Sequence, residues 1–171
     1  MGWVFTRLPG GDVRLALGAP ERDVLRSLPD QLAQVLRSSP GEEALSRLAP
    51  PAYADEPEHE EEYRRYMGDD LRARQVAALG VMSETAGADR LTEAQAEGWL
   101  AALNSLRLVL GTQLDIREDA DELDVADEPD GPEDERAAAL QLYRYLSMLL
   151  DELVTALAEG VDQGAGGVPG P

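Results

Sequence analysis

One histidine stands among acidic residues in the stretch EPEHEEEY, where metal or acid–base chemistry would first be sought. Carboxylates on both sides of His59 are the residue types that bind divalent metals. On a helix, however, consecutive side chains point in different directions, and the sequence has no second histidine. A Ser–His–acid triad would need this same histidine, and the sequence contains no G-x-S-x-G turn. We therefore expect neither a metal site nor a catalytic triad.

Other enzyme chemistries find no better support in the sequence. The chain has no cysteine, which excludes a thiolate metal site, a cysteine nucleophile and a disulfide. The glycine-rich stretches PGGD and GAGG lack the following helix that a phosphate-binding loop requires. Paired carboxylates are frequent, but they lie in solvated runs where nothing would raise a pKa for acid catalysis. We expect a protein that is not an enzyme and that needs no cofactor.

Four side chains are candidates for an interface or for a buried polar network, namely Trp99, Asn104, Arg107 and Tyr143. Asn104 and Arg107 lie one helical turn apart beside an apolar stripe. They are either polar residues at the edge of the core, or a buried bridge or anion contact. Trp99 and the tyrosines could form a ligand cage, although packing in a core or an interface is the more general role of aromatic residues.

The most basic cluster of the sequence follows one predicted helix. Its members are Arg64, Arg65, Arg72 and Arg74. Asp69 and Asp70 lie among them, so a salt-bridged solvent face is the simpler interpretation. A nucleic-acid contact is the alternative.

The net charge of −19 over 171 residues is unevenly distributed. Half of the 34 acidic residues lie in two runs, 55–62 and 117–135, so the rest of the chain is close to neutral. This argues against strong, non-specific nucleic-acid binding, which needs cations, but it leaves room for a local basic face. No apolar run reaches the roughly 20 residues that cross a membrane. The stretch MGWVFTRLPGG lacks the basic and apolar parts of a signal peptide, so we expect a cytoplasmic protein.

Hydrophobic periodicity predicts a hairpin followed by helices. Strands at 3–8 and 13–17 flank the turn Pro9-Gly10-Gly11-Asp12. A helix begins near Pro20, and Pro29 is expected to kink it or to divide it into two. A second long helix covers 57–85, and 86–90 is expected to be a loop.

The clearest helix is LTEAQAEGWLAALNSLRLVLGTQL, residues 91–114. Thr92 and Gln95 form a capping box at its start, and Gly111 is expected to stop it. The last helix opens on the acids at 133–135 and is expected to end at Gly160.

The predicted fold class is mainly α, a helical bundle with an N-terminal β-hairpin. Residues 1–116 and 133–160 should form one helical domain that includes the hairpin at 3–17. Residues 117–132 should form an acidic flexible loop, and 161–171 a disordered tail.

The last helix is apolar over more than one narrow stripe, so part of it should remain uncovered in a domain of this size. A symmetric homodimer through this helix would cover the surplus. The alternative is a monomer in which the hairpin, with Trp3 and Phe5, covers it.

The order of segments resembles a known family. A W-x-F hairpin is followed by ALSRLAPPAYADEPEHEEEYRRYM, LTEAQAEGWLAALNSLRLVLGT, an acidic gap and ALQLYRYLSMLLDELVTAL. This pattern is similar to an actinobacterial family described as a domain of unknown function and labelled AosR-type oxidative-stress regulators. The resemblance covers nearly the whole chain except the acidic gap and the tail, and TEAQAEGWLAALNSLRLVLG is its most specific part.

The resemblance implies a small cytosolic protein encoded near the ClpS adaptor and near genes of a sulfur-carrier route to cysteine, with a role in transcriptional control. It brings no established catalytic residues. A thiol redox switch does not carry over, because this chain has no cysteine. We expect a non-enzymatic regulatory protein that acts through protein–protein contacts in transcriptional or stress control. An adaptor linked to ClpS and proteolysis or to cysteine metabolism, and a small-ligand sensor, are the alternatives.

Overall fold

The computed structural model describes residues 2–38, 57–114 and 132–164. Within these ranges the chain forms three short strands and four helices. They are β1 (Phe5–Arg7), β2 (Val13–Leu15), α1 (Ala19–Ser38), α2 (Pro57–Thr85), β3 (Arg90–Leu91), α3 (Glu93–Gln113) and α4 (Pro132–Gly164). The predicted fold class, a mainly helical bundle with an N-terminal antiparallel strand pair, is confirmed.

The hairpin forms because two consecutive glycines supply its turn. Gly10 and Gly11 have φ values of 96° and 100°, a region that side chains with a Cβ rarely enter. β1 and β2 then pair antiparallel, with Phe5 opposite Leu15. Phe5, Val13 and Leu15 are buried on the side of the sheet that faces the helices.

A third strand, which is not among the predicted elements, completes the sheet. β3 pairs antiparallel with β2, so that Val13 lies opposite Leu91 and Arg14 opposite Arg90. The expected loop at 86–90 therefore ends inside a strand. A two-residue strand carries no periodic signal, so only its tertiary partner reveals it.

The helices pack in chain order. α1 lies against α2, α2 against α3 and α3 against α4, while β1 packs on α4. α3 is the central helix, because it contacts each of the other three helices. The largest fully buried side chains include Trp99, Leu25, Leu79, Met82, Leu91, Leu103, Leu146, Leu149 and Leu153.

The start of α3 agrees with the sequence prediction, and its end does not. The predicted capping box is present: the Gln95 backbone N–H donates to Thr92 Oγ1 at 3.2 Å, and the Thr92 N–H donates to Gln95 Oε1 at 2.9 Å. The predicted stop at Gly111 is wrong, since α3 continues to Gln113. Gly111 instead allows a close approach of α4, because an added Cβ would lie 3.2 Å from the Tyr143 ring.

Two other expected interruptions do not divide their helices. α1 runs as one helix through Pro29, so the alternative of two short helices is wrong, although a proline inside a helix costs about 3 kcal/mol. Burial of Leu25, Leu32 and Ala33 on the same helix offsets that cost. α4 passes the predicted end at Gly160 and continues to Gly164, because a glycine stops a helix only when it turns left-handed. Residues 115–131 and 165–171, which include most of the predicted acidic loop and tail, lie outside the described residues.

Candidate interaction surface

Trp99 is completely buried at the centre of the bundle, with 0 % of its surface exposed. Its indole Nε1 donates a hydrogen bond of 2.7 Å to Thr85 Oγ1 at the end of α2. Its ring meets Phe5 edge-on, with ring centroids 6.0 Å apart and an interplanar angle of 77°. The residue therefore joins three elements, α2, α3 and β1, and in this fold it presents no surface to a partner.

We expect Thr85→Val to destabilise the protein by about 1–3 kcal/mol, because it leaves the buried indole N–H of Trp99 without an acceptor. Valine has nearly the shape of threonine, so packing changes little. Thr85→Ser keeps the hydroxyl and is the matched control, with a free energy of unfolding closer to wild type. Urea denaturation measures both, and equal losses in the two variants would contradict the importance of this hydrogen bond.

Asn104 and Arg107 are half-buried neighbours on α3. Arg107 Nη2 lies 3.4 Å from Asn104 Oδ1, close to the outer limit for a hydrogen bond, so the bridge is weak. Arg107 Nε is buried and has no acceptor among the described residues. The pair lies at the edge of the core.

Of the four arginines in the predicted basic face, the structure describes the side chains of two. All four positions lie in α2, but the side chains of Arg64 and Arg65 fall outside the described part of the structure. Arg72 is half-buried and Arg74 is exposed. Two positions along a helix correspond to a rotation of roughly 200°, so these two side chains lie on different sides of α2. The described residues therefore do not assemble a continuous basic surface here.

An open groove lies between Trp3 and the outer face of α4. We call it the Trp3 groove, lined by Trp3, Tyr143, Arg144, Met148, Asp151 and Glu152. Trp3 is 68 % exposed and Met148 is 42 % exposed. On the same helix, Val154 is 48 % exposed. These exposed apolar side chains make the groove and the adjoining face of α4 a candidate contact surface.

Main-chain contacts hold Trp3 beside α4. The backbone N–H of the next residue, Val4, donates to Glu152 Oε2 at 2.9 Å. The Val4 carbonyl accepts from the Ala16 N–H at 2.9 Å, which ties this segment to the hairpin. The strand itself begins only at Phe5, so Trp3 precedes the buried, alternating part of the hairpin and its ring remains exposed. The hairpin thus covers part of α4, while Met148 and Val154 stay uncovered.

Tyr143 forms the inner wall of the groove. Its ring packs on Gly111 of α3, and its carbonyl accepts a hydrogen bond from Ser147 Oγ at 2.9 Å. The position is therefore fixed by a helix–helix contact, and the half-buried ring offers only one side to the groove. Of the four predicted interface or network residues, Tyr143 is the one that reaches this surface.

The groove is electrostatically mixed. Arg144 and Asp151 are exposed, and Glu152 is half-buried at the edge. Behind the groove, burial raises the pKa of Tyr145 above its ordinary value. The nearby carboxylates of Glu21 and, to a smaller extent, Glu152 raise this pKa further. The Tyr145 hydroxyl therefore stays neutral at physiological pH.

The described side chains do not assemble a metal site. No group of three His, Cys, Asp or Glu residues among them is arranged to hold a metal ion. His59 lies in α2, but its side chain is outside the described part. None of the described helices has the length and apolar character needed to cross a bilayer.

Two exposed charged residues that line this groove, Arg144 and Asp151, were not among the predicted site residues. Arg144 has Leu140, Gln141, Ser147 and Met148 at three and four residues' distance, and none of these is acidic. A helical arginine without an acid at these positions has no partner on its own helix face. That pattern was visible in the sequence, but only the structure shows that the face is exposed.

Comparison with known proteins agrees with the resemblance in the sequence. A family profile described as a domain of unknown function, DUF2017, matches residues 3–157. The oxidative stress regulator AosR of Mycobacterium bovis is 35 % identical over 95 residues, covering 51 % of this chain and 38 % of that protein. The AosR homologue of Mycobacterium leprae is 36 % identical over 89 residues, covering 52 % of this chain and 38 % of that protein. The chain thus spans well under half the length of these relatives, and no solved structure matches it. Because the family profile extends over nearly the whole chain, the protein belongs to the DUF2017 family.

Proposed function

We propose that this protein is a non-enzymatic regulator that acts through protein–protein contacts in transcriptional or stress control. The observation that carries the proposal is the Trp3 groove, where Trp3 and Met148 are 68 % and 42 % exposed on one surface. Tryptophan and methionine are enriched where proteins bind one another, because both bury much apolar area. The relatives named oxidative stress regulator AosR support a regulatory role.

A contact surface needs apolar anchors surrounded by polar groups, and this groove has both. Trp3 and Met148 supply the anchors, while Arg144 and Asp151 supply the charged rim. Rim charges govern the rate and specificity of association more than its strength. A few central anchors usually carry most of the binding energy. The proposal therefore assigns affinity to the anchors and selectivity to the rim.

The test compares wild type, a triple variant of the groove and a double control variant as baits in a pull-down from the native organism, followed by mass spectrometry. Trp3→Ala, Met148→Ala and Val154→Ala together remove the apolar side chains beside and within the groove. The matched control truncates exposed apolar residues elsewhere: Val24, 40 % exposed on α1, and Leu71, 37 % exposed on α2, are each changed to alanine. All baits must first give the same circular dichroism spectrum and melting temperature.

Transcription proteins captured by wild type and control but lost with the groove variant would support the proposal. Transcript levels after peroxide treatment should then change in a strain that carries the groove variant. Specific capture of protease components instead would contradict control of transcription and favour an adaptor. Equal capture by all three baits would show that the groove is not the contact surface.

A further inference from the structure

The outer face of α4 carries a charge pattern that its own chain does not complete. Arg144 and Asp151 are both exposed and lie seven residues apart, which places them two turns apart on one side of the helix. Neither forms an ion pair within the described residues. No basic residue lies three or four positions from Asp151, just as no acidic residue lies so near Arg144.

Two apolar side chains and a serine lie beside these charges with the same spacing. Leu140, Ser147 and Val154 recur every seven residues, the repeat that keeps one seam of a helix facing another helix. Val154 is 48 % exposed, and Leu140 is half-buried without belonging to the hydrophobic core. Ser147, in the middle, is small enough to let a second helix approach closely.

We propose that the partner of this face is a second copy of the same chain, with the two α4 helices packed antiparallel about a two-fold axis beside Ser147 and Met148. In this register Arg144 faces Asp151 of the partner subunit, and Asp151 faces Arg144 of the partner subunit. Leu140 faces Val154 of the partner subunit, and the two Ser147 side chains lie near the axis. One pattern on one helix thus gives two ion pairs and two apolar contacts, as a two-fold interface requires.

Magnitudes decide which contacts hold the two copies together. An exposed ion pair contributes about 0–1 kcal/mol, so the two Arg–Asp pairs fix the register and contribute little to affinity. A stable interface buries about 800 Å² on each side, which needs a long contact. α4 has 33 residues, a length of about 50 Å, and Trp3 lies beside it. The net charge of −19 opposes association, but physiological salt screens it beyond about 8 Å.

This inference rests on the proposed use of the groove as a contact surface and names what occupies it. Its test needs no other protein. Arg144→Glu and Asp151→Arg are made singly, together in one chain, and as an equimolar mixture of the two single variants. Analytical ultracentrifugation at physiological salt, from micromolar to millimolar concentration, measures the mass. Exposed helix positions tolerate such changes, so circular dichroism should show all variants folded.

Wild type should approach twice 18.5 kDa as concentration rises. Each single variant places like charges opposite each other twice and should dimerise at least about ten-fold more weakly. The double variant and the mixture restore opposite charges at both contacts and should regain the dimer. A mass of 18.5 kDa for wild type at every concentration overturns the inference. So does a mixture that stays as weak as its components.

The absence of cysteine allows a second test of the same register. Met148→Cys places a thiol beside the proposed axis, where the two copies of position 148 meet. A disulfide requires Cα atoms about 4.4–6.8 Å apart, so only this close approach should give a disulfide-linked dimer under mild oxidation. Val24→Cys, equally exposed but on α1, should remain a monomer under the same conditions. Equal cross-linking of both variants would indicate random collision and contradict the register. A monomeric wild type whose groove still captures a specific protein would refute the dimer alone and leave the proposed function standing.

Discussion

Replacing Trp99 by alanine should lower the free energy of unfolding by about 3–5 kcal/mol, the largest loss expected from a single truncation in this protein. Trp99 is 0 % exposed, so the change opens a cavity at the centre of the bundle. It also removes the edge-on contact with Phe5, whose ring centroid lies 6.0 Å away, and leaves Thr85 without its donor. Since small domains are stable by about 5–15 kcal/mol, the variant should sit near the limit of folding.

The chain offers its own control in its other tryptophan. Trp3→Ala removes the same number of atoms from a side chain that is 68 % exposed, and it should change stability by no more than about 0.5 kcal/mol. Urea denaturation followed by circular dichroism measures both variants without depending on tryptophan fluorescence. Similar losses at the two positions would mean that Trp99 is not the centre of the core.

The second large effect is expected at Leu91, where alanine should cost about 2–5 kcal/mol. Leu91 is 0 % exposed, lies in β3 opposite Val13, and precedes the capping residue of α3. The Leu91 side chain thus connects the sheet to the central helix. Leu71→Ala, a truncation at a position that is 37 % exposed, is the matched control and should stay within about 0.5 kcal/mol of wild type.

A double-mutant cycle identifies the strand pairing itself. Val13→Ala and Leu91→Ala remove the two sides of one cross-strand contact, so their combined cost should differ from the sum of the single costs by about 0.5–3 kcal/mol. Strict additivity would show that the two residues do not depend on each other and that β3 contributes nothing through this pair.

Signals confined to a few neighbouring residues predicted the fold well. Thr92 and Gln95 form the capping box because both partners lie within one turn, and Gly10 and Gly11 form the hairpin turn because their backbone freedom is local. The long helices followed from apolar periodicity, which extends over many residues and tolerates single exceptions.

Features that depend on distant residues could not be predicted in the same way. Gly111 has the residue type of a helix stop, but Tyr143 approaches it from α4 and the helix continues. Pro29 has the residue type of a break, but burial of its neighbours keeps α1 in one piece. β3 has two residues and exists through its pairing with β2.

The candidate surface shows the same division. The surplus apolar character of the last helix was apparent from its leucines, whereas the exposure of Met148 and Val154 depends on how far the hairpin reaches across α4. In the monomer alternative Trp3 covers the last helix together with Phe5, yet strand pairing begins only at Phe5 and Trp3 stays 68 % exposed. The position at which the sheet ends therefore determines which apolar side chains remain exposed to water.

The docking of β1 on α4 determines when the Trp3 groove forms during folding. The hydrogen bond from Val4 to Glu152 joins positions 148 residues apart, and the one from Arg7 to the Leu157 carbonyl joins positions 150 apart. We expect contacts of such sequence separation to form late, because the entropy cost of closing a long loop comes before they contribute any stability. On the ribosome, the hairpin can meet β3 and α3 well before α4 has been synthesised. Trp3 and Met148 come together only at that last step, so an incompletely folded chain presents no groove to a partner.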